Sequence, residues 1–397
     1  MQTLYSGGLL FDGDGRLLEN YGVLVENDRV IKIAPRPEFT GFAGYVVDTS
    51  GGTLMPALID GACHIALGAE ADPVGALGGR DESETTLMAL EHLQASLVGG
   101  FGVVRDLGGA PDVARSLADA MQAGRFMGAS LLTAGCTIVP TGGHGEEMGV
   151  VADGSLEVMQ SIRALAASGA HGIVFSASGG VTSADTNPSM TYMTAEELEA
   201  GVVEAHRLGR PTAVMAHNTD AAKLATQAQA GAVLYGAGLD DDTIGAMVAG
   251  QVYLVPALGA SRALADAADD AGLDPAIVDT AKQLVDAHAG ALKRFYDAGG
   301  KVAFGSDSGM PLLAHGENAL ELRHLVASGM TPIDALIAAT GYAADMLGLV
   351  GRGRVAEGGV ADLLVVDGNP ADNIDAVAER GNHRLVVSGG TVAARRN

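Results

Sequence analysis

The residues of this chain that could do chemistry sit in short motifs, most of them rich in glycine. Asp60-Gly-Ala-Cys-His64, Thr141-Gly-Gly-His-Gly145, Met215-Ala-His217 and Gly305-Ser-Asp-Ser-Gly309 each present a histidine or an aspartate. An imidazole beside a carboxylate can move protons near neutrality, and the same two groups can ligate a divalent ion. Glycine on both sides of His144 lets its loop come close to a ligand. The absences are equally informative. No His-x-His occurs, no lysine lies between Lys32 and Lys223, and no histidine lies between His217 and His288. The two cysteines, Cys63 and Cys136, are no disulfide framework, and neither belongs to a Cys-x-x-Cys pair.

These motifs need elements to hold them. The first fifty residues read as short strands, Gly22 to Val25, Arg29 to Ile33 and Tyr45 to Asp48, with a turn at Glu26-Asn27-Asp28. The last forty-five read alike, with strands at Ala361 to Val366 and Leu385 to Val387. Between the two ends, apolar runs alternate with helical segments. The runs are Phe101–Arg105, Ser130–Ala134, Gly172–Phe175, Thr212–Ala216, Ala232–Leu234, Val252–Pro256 and Lys301–Gly305, with Thr53–Asp60 leading in. Thr194-Ala-Glu-Glu197 carries a capping-box pattern at the start of a helix to Leu208. Apolar strands separated by helices mean a parallel sheet, and eight such units suffice to close a barrel; a doubly wound open sheet is the alternative.

The 397 residues allow one large domain plus a smaller one, and 48% hydrophobic residues supply an ample core. A formal net charge of −24 argues against nucleic acid or an anionic membrane as partner. The N-terminus has no basic stretch followed by an apolar one, and no apolar run approaches the length of a membrane span. The expectation is a cytoplasmic protein acting on a small molecule, with a homo-oligomer left open.

The motifs and their order resemble the amidohydrolase superfamily, in its imidazolonepropionase- and prolidase-like branch. Thr53-Leu-Met-Pro-Ala-Leu-Ile-Asp60 is similar to the family's entry into strand 1, and Val104-Arg-Asp-Leu-Gly-Gly109 to the end of strand 2. The four motifs above follow in the family's order, with Ser178-Gly-Gly-Val181 among them, then His315-Gly-Glu-Asn318, Gly329-Met-Thr-Pro332 and Gly358-Gly-Val-Ala-Asp-Leu-Leu-Val-Val-Asp367. The resemblance covers nearly the whole chain. It implies an α/β fold: a (β/α)8 TIM-type barrel over 54–354, with a small β-sandwich domain formed by 1–53 and 355–397.

The resemblance also implies one or two divalent ions at the barrel mouth. The family's ligands are a His-x-His pair on strand 1, a carboxylated lysine on strand 4, histidines on strands 5 and 6, and an aspartate on strand 8. Alternate strand residues point the same way, so His-x-His gives two imidazoles to one ion. Here His64, His217 and Asp307 are kept, while Ala62, Val174 and Tyr235 stand in the other positions. A two-ion centre therefore lacks its bridging lysine and two imidazoles. His64, His217 and Asp307 could still hold one zinc or other divalent ion, which would suit a hydrolase of an amide, lactone or imide bond.

The first expectation is a site without metal, in which His64, His217, Asp307 and Tyr235 form an acid–base set for isomerisation, dehydration, cyclisation or decarboxylation. A non-catalytic binding protein with a decayed site is the third reading. His144, Asp106, Ser178 and Tyr192 are expected at the substrate, with Arg105 pointing the other way from Asp106. Thr182–Met193 reads as a lid, and Cys63 as a packing thiol. His92, His171, His206, His288, His324 and His383 read as surface residues.

Overall fold

The computed structural model describes residues 2–183, 185–268 and 270–396. Ala184, inside the expected lid, lies outside the described residues. Both chain ends are β-structure, and they pair with each other. One sheet has the order Arg29–Pro35, Tyr21–Glu26, Gln2–Ser6, Tyr45–Asp48. A second has the order Thr391–Arg395, His383–Ser388, Leu363–Asp367, Gly52–Pro56, Leu9–Phe11, Leu17–Leu18. Alternating apolar residues explain both sheets: Val23, Val25, Val30 and Val47 of the first share one cluster with Leu10, Leu54, Leu363, Val365 and Leu385 of the second. Asn27 takes the left-handed conformation that the expected turn requires.

The middle is α/β with parallel strands. Leu58–Cys63, Phe101–Asp106 and Ser130–Thr133 form one array. Ile173–Ser176, Thr212–Ala216, Ala232–Tyr235 and Tyr253–Val255 form another, extended by the short strands Ile138–Val139 and Val150–Val151. Helices lie between most of the successive longer strands, and Thr194 and Glu197 make the expected capping box at the start of Ala195–Arg207. Hydrogen bonds link the arrays at their edges. The His171 amide donates to the Thr133 carbonyl (2.8 Å), and the Gly61 amide to the Phe304 carbonyl (2.9 Å). Leu254 bridges to Val302, and Cys63 to Ser308.

Two strand expectations are revised. Thr53–Asp60 is not one strand: Gly52–Pro56 joins the terminal sheet, and a new strand starts at Leu58 in the parallel array. Lys301–Gly305 makes only an isolated bridge. Just beyond it, Ser306 gives both its amide and its hydroxyl to Asp60 instead of a neighbouring strand, and Asp307 has a φ of +59°. Facing one another across the parallel strands are Ala62, Val103, Val174, Ala213, Met215, Leu234 and Val255, a single apolar cluster. Cys63, Phe101, Val104, Ile173 and Phe175 pack outward against the helices. Among the described residues no helix is long and apolar enough to cross a membrane.

Candidate active site

Parallel strands end on one face, so residues just past their C-terminal ends gather there. His64 follows Leu58–Cys63, His217 follows Thr212–Ala216, Tyr235 ends Ala232–Tyr235, and Asp307 follows the 301–305 segment. The structure brings these residues together. The Tyr235 hydroxyl donates to Asp307 Oδ2 at 3.2 Å. His64 Nε2 stands 3.7 Å from Asp307 Oδ1, which has no hydrogen-bond partner among the described residues. The His217 ring stacks on Tyr235, with centroids 4.1 Å apart, and its Nδ1 is also unpartnered. Tyr235 and Asp307 both hold positive φ, +70° and +59°. A bulky side chain in that region costs about 1–3 kcal/mol, and such strain clusters at functional sites.

Backbone contacts aim these side chains. The His64 amide donates to the Ser308 carbonyl, and its Nδ1 lies 3.2 Å from the Gly108 carbonyl. The Asp307 amide donates to the Ala62 carbonyl. Beneath Asp307 lies a polar network centred on the buried Asp60 carboxylate, which accepts from Ser306, Asn318 Nδ2 and the Ala62 amide. His315 Nε2 lies 3.0 Å from the His64 carbonyl, and its ring stacks on His92.

Burial sets the charges. It pushes the Asp307 carboxyl above the usual carboxylate range, opposed by the His64 charge and the Tyr235 hydrogen bond. It pushes the Tyr235 phenol well up, helped by Asp307, so this hydroxyl is a neutral donor. It pushes His217 well down, helped by His288 and His144.

The other expected substrate contacts divide. His144 lines the cavities, reaches Ser183 Oγ at 2.6 Å, and sits edge-on to His217. Ser178 is buried, and its hydroxyl accepts the His217 amide at 2.8 Å, so it positions that histidine. The Tyr192 hydroxyl accepts the Asn187 amide and ties its own loop. Asp106 takes the Ile65 amide and the Thr133 hydroxyl and thereby supports the turn after His64. The orientation expected of strand Phe101–Asp106 is reversed. Asp106 pairs in register with the outward Cys63, while Arg105 shares the inward face with Val103, and its Nε donates to the Gly61 carbonyl.

Sequence reasoning missed two participants. His288, read as surface, is buried beside His217, with Nδ1 2.5 Å from Ser261 Oγ and Nε2 unpartnered. A signal existed: Ala281, His288 and Phe295 repeat every seven residues along helix Pro275–Asp297, and all three are buried. The second is Asp60, whose buried carboxylate anchors Ser306 and Asn318 beneath Asp307. His383 is also buried, its Nε2 2.8 Å from the Val377 carbonyl.

The metal centre that the resemblance implies can be tested against these residues. Val174, in the bridging lysine position, is fully buried in the apolar cluster with Ala62. Tyr235 stands between two retained ligand positions, its ring on His217 and its hydroxyl on Asp307. Among the described residues no group of three or more His, Cys, Asp or Glu is arranged to hold a metal ion. The residues present do not fit a two-ion centre. His64, His217 and Asp307, the three-ligand set considered from sequence, all stand at this mouth, with His64 3.7 Å from Asp307 and His217 and Asp307 lining one cavity.

Comparison with known proteins agrees with this architecture. The model of the amidohydrolase family matches residues 53–393. Ochratoxinase of Aspergillus niger is 27% identical over 95% of this chain and 83% of its own length. A structure of a Xaa-Pro dipeptidase with methionine in its active site superposes with a TM-score of 0.91 at 26% identity, covering both chains completely. A prolidase bound to N-methylphosphonate-L-proline gives 0.92 at 28% identity, again over both whole chains. The chain belongs to the amidohydrolase family and is one of its enzymes.

Proposed function

We propose that this chain hydrolyses an amide-type bond of a small molecule at the Asp307 site. The parallel arrays would form one (β/α)8 barrel over 54–354, with a β-sandwich domain from 1–53 and 355–397 beside it. The observation that carries the reading is the Asp307 carboxylate: one oxygen is held by Tyr235, and the other is buried, unpartnered and 3.7 Å from His64 Nε2. An unpaired buried oxygen is costly unless a ligand completes it. Hydrolysis is favoured over the isomerisation, dehydration, cyclisation or decarboxylation expected first, because similar proteins are named as a dipeptidase and a prolidase.

In this reading Asp307 Oδ1 accepts a proton from water as its oxygen attacks the acyl carbon. Burial makes the carboxylate a stronger base than an exposed aspartate. The Tyr235 hydroxyl keeps Asp307 Oδ2 in place, and the His64 imidazole, 3.7 Å from Oδ1, faces the developing oxyanion. Collapse breaks the acyl C–N bond, and the departing nitrogen takes the proton from Asp307, leaving a carboxylic acid and an amine. His144 and His217 contact the substrate, and Ser178 holds His217 in place.

The test is a panel of small amides in ¹⁸O-labelled water, followed by mass spectrometry. Hydrolysis puts one label into the acid product. Rearranged or decarboxylated products without label would contradict it.

A further inference from the structure

The cavities at this site carry a one-sided set of charges. A pocket of about 50 Å³ over His64 and Tyr235 is walled by apolar Leu107, Met148, Met215 and Met310, with Glu147 at its edge. It shares Glu147, Thr182, Ser183 and Met310 with an open basin of about 620 Å³. Asp72, Glu146, Glu147, Asp185 and Asp274 line the basin; among the described residues no lysine or arginine lines either cavity. All five carboxylates are exposed, and none has an ion pair among the described residues. A smaller cavity beside the basin, sharing Thr182, Met310 and Pro311 with it, is lined by His217 and Asp307, whose buried Nδ1 and Oδ1 are unpartnered. The route to the reacting groups therefore runs from an acidic rim through an apolar throat.

We infer that the enzyme selects substrates with an apolar group beside the scissile bond and a cationic group at the solvent end, and disfavours those with a carboxylate there. This rests on the proposed amide hydrolysis. Asp72, Glu146 and Asp274 accept only backbone amides, so carboxylates without an ion pair ring the cleft; they attract a cation and repel an anion, and no basic side chain among the described lining residues offsets them. The net charge of −24 adds a field of the same sign over the whole surface. A carboxylate entering here would lose its hydration with no guanidinium or ammonium to replace it.

Three amides sharing one acyl group and one scissile bond separate the possibilities. Their distal ends are trimethylammonium, its neutral isostere tert-butyl, and carboxylate. Binding is measured by calorimetry, and turnover in the same samples. The trimethylammonium amide is expected to bind at least about tenfold tighter than the neutral one, and the carboxylate more weakly than either. Raising the salt from about 10 mM to about 300 mM should shrink the preference, as should Glu147→Gln with Asp185→Asn. Equal or tighter binding of the carboxylate, binding of none of the three, or a preference indifferent to both salt and the substitutions would overturn the inference. Ordered binding without hydrolysis leaves the charge selection standing and sinks the hydrolase reading. Fastest turnover of the carboxylate amide does the reverse.

Discussion

Asp307 and Tyr235 share one hydrogen bond, and substitution separates their roles. Tyr235→Phe removes a donor that stabilises the carboxylate, so the Asp307 pKa should rise further. The acid limb of kcat/KM should then move to higher pH, with kcat reduced about tenfold if the phenol assists but does not carry the proton. A pH profile of both proteins checks this; an unmoved limb means that the phenol does not control the carboxylate. Ala62, Val174 and Tyr235 lead to a second expectation. The purified chain should hold well under one equivalent of zinc by elemental analysis, and two equivalents would mean that ligands outside these positions had been recruited. The lack of a His-x-His pair and of any lysine between Lys32 and Lys223 was legible in sequence because the absence of a residue type needs no alignment. The facing of Asp106 was not legible. A one-residue slip in pairing turns every side chain over, and the pairing of Leu58–Cys63 with Phe101–Asp106 shifts register at Leu58/Ile59 and again between Asp60 and Cys63.

Loops and helices set how firmly these groups are held. A Cβ on Gly180 would stand 2.3 Å from the His144 ring, so Gly180→Ala must displace that imidazole. Its KM is expected to rise several-fold with little change in thermal stability; unchanged kinetics would remove His144 from the substrate. Glu321 offers a pH test. Its buried carboxyl accepts the Leu258 and Gly259 amides at the start of helix Leu258–Ala265, and burial pushes its pKa up to about 8. The unfolded chain has an ordinary glutamate at about 4.3. A raised acid pKa gives stability that is full below the unfolded value and is lost as pH rises through the folded one. The melting temperature of the wild type should therefore fall between about pH 5 and pH 8 more steeply than that of Glu321→Gln; parallel curves would show that Glu321 is already ionised across that range. Strands and capping signals at this scale were largely legible, because apolar runs and Thr194-x-x-Glu197 are local. The 301–305 segment was not. Its hydrogen bonds go to Gly61, Leu254 and Ala338, and those of Ser306 just beyond it to Asp60, more than two hundred residues away in sequence.

Across the whole molecule, the two chain ends depend on each other. Gly52–Pro56 lies between Leu363–Asp367 and Leu9–Phe11, so removing residues 363–397 strips a central strand of one partner and Leu363, Val365 and Leu385 from the shared core. Such a truncation should be insoluble or unfolded, as judged by circular dichroism. A folded, active remnant would show that the terminal sheets are dispensable. The β-rich runs at both ends, together with the resemblance, made this arrangement legible. The reaction was less so: the same His, Asp and Tyr side chains suit proton transfer in several reaction classes, and their mutual distances appear only in the folded chain. The most direct measurement is the turnover of a cleaved amide by Asp307→Asn beside the wild type. The asparagine keeps the volume and can still accept from Tyr235, so the fold should survive, while the base is gone. Turnover should fall by about 10²-fold or more with an unchanged circular dichroism spectrum and melting temperature. Near-wild-type turnover in a normally folded Asp307→Asn protein would contradict the assignment of Asp307 as the base.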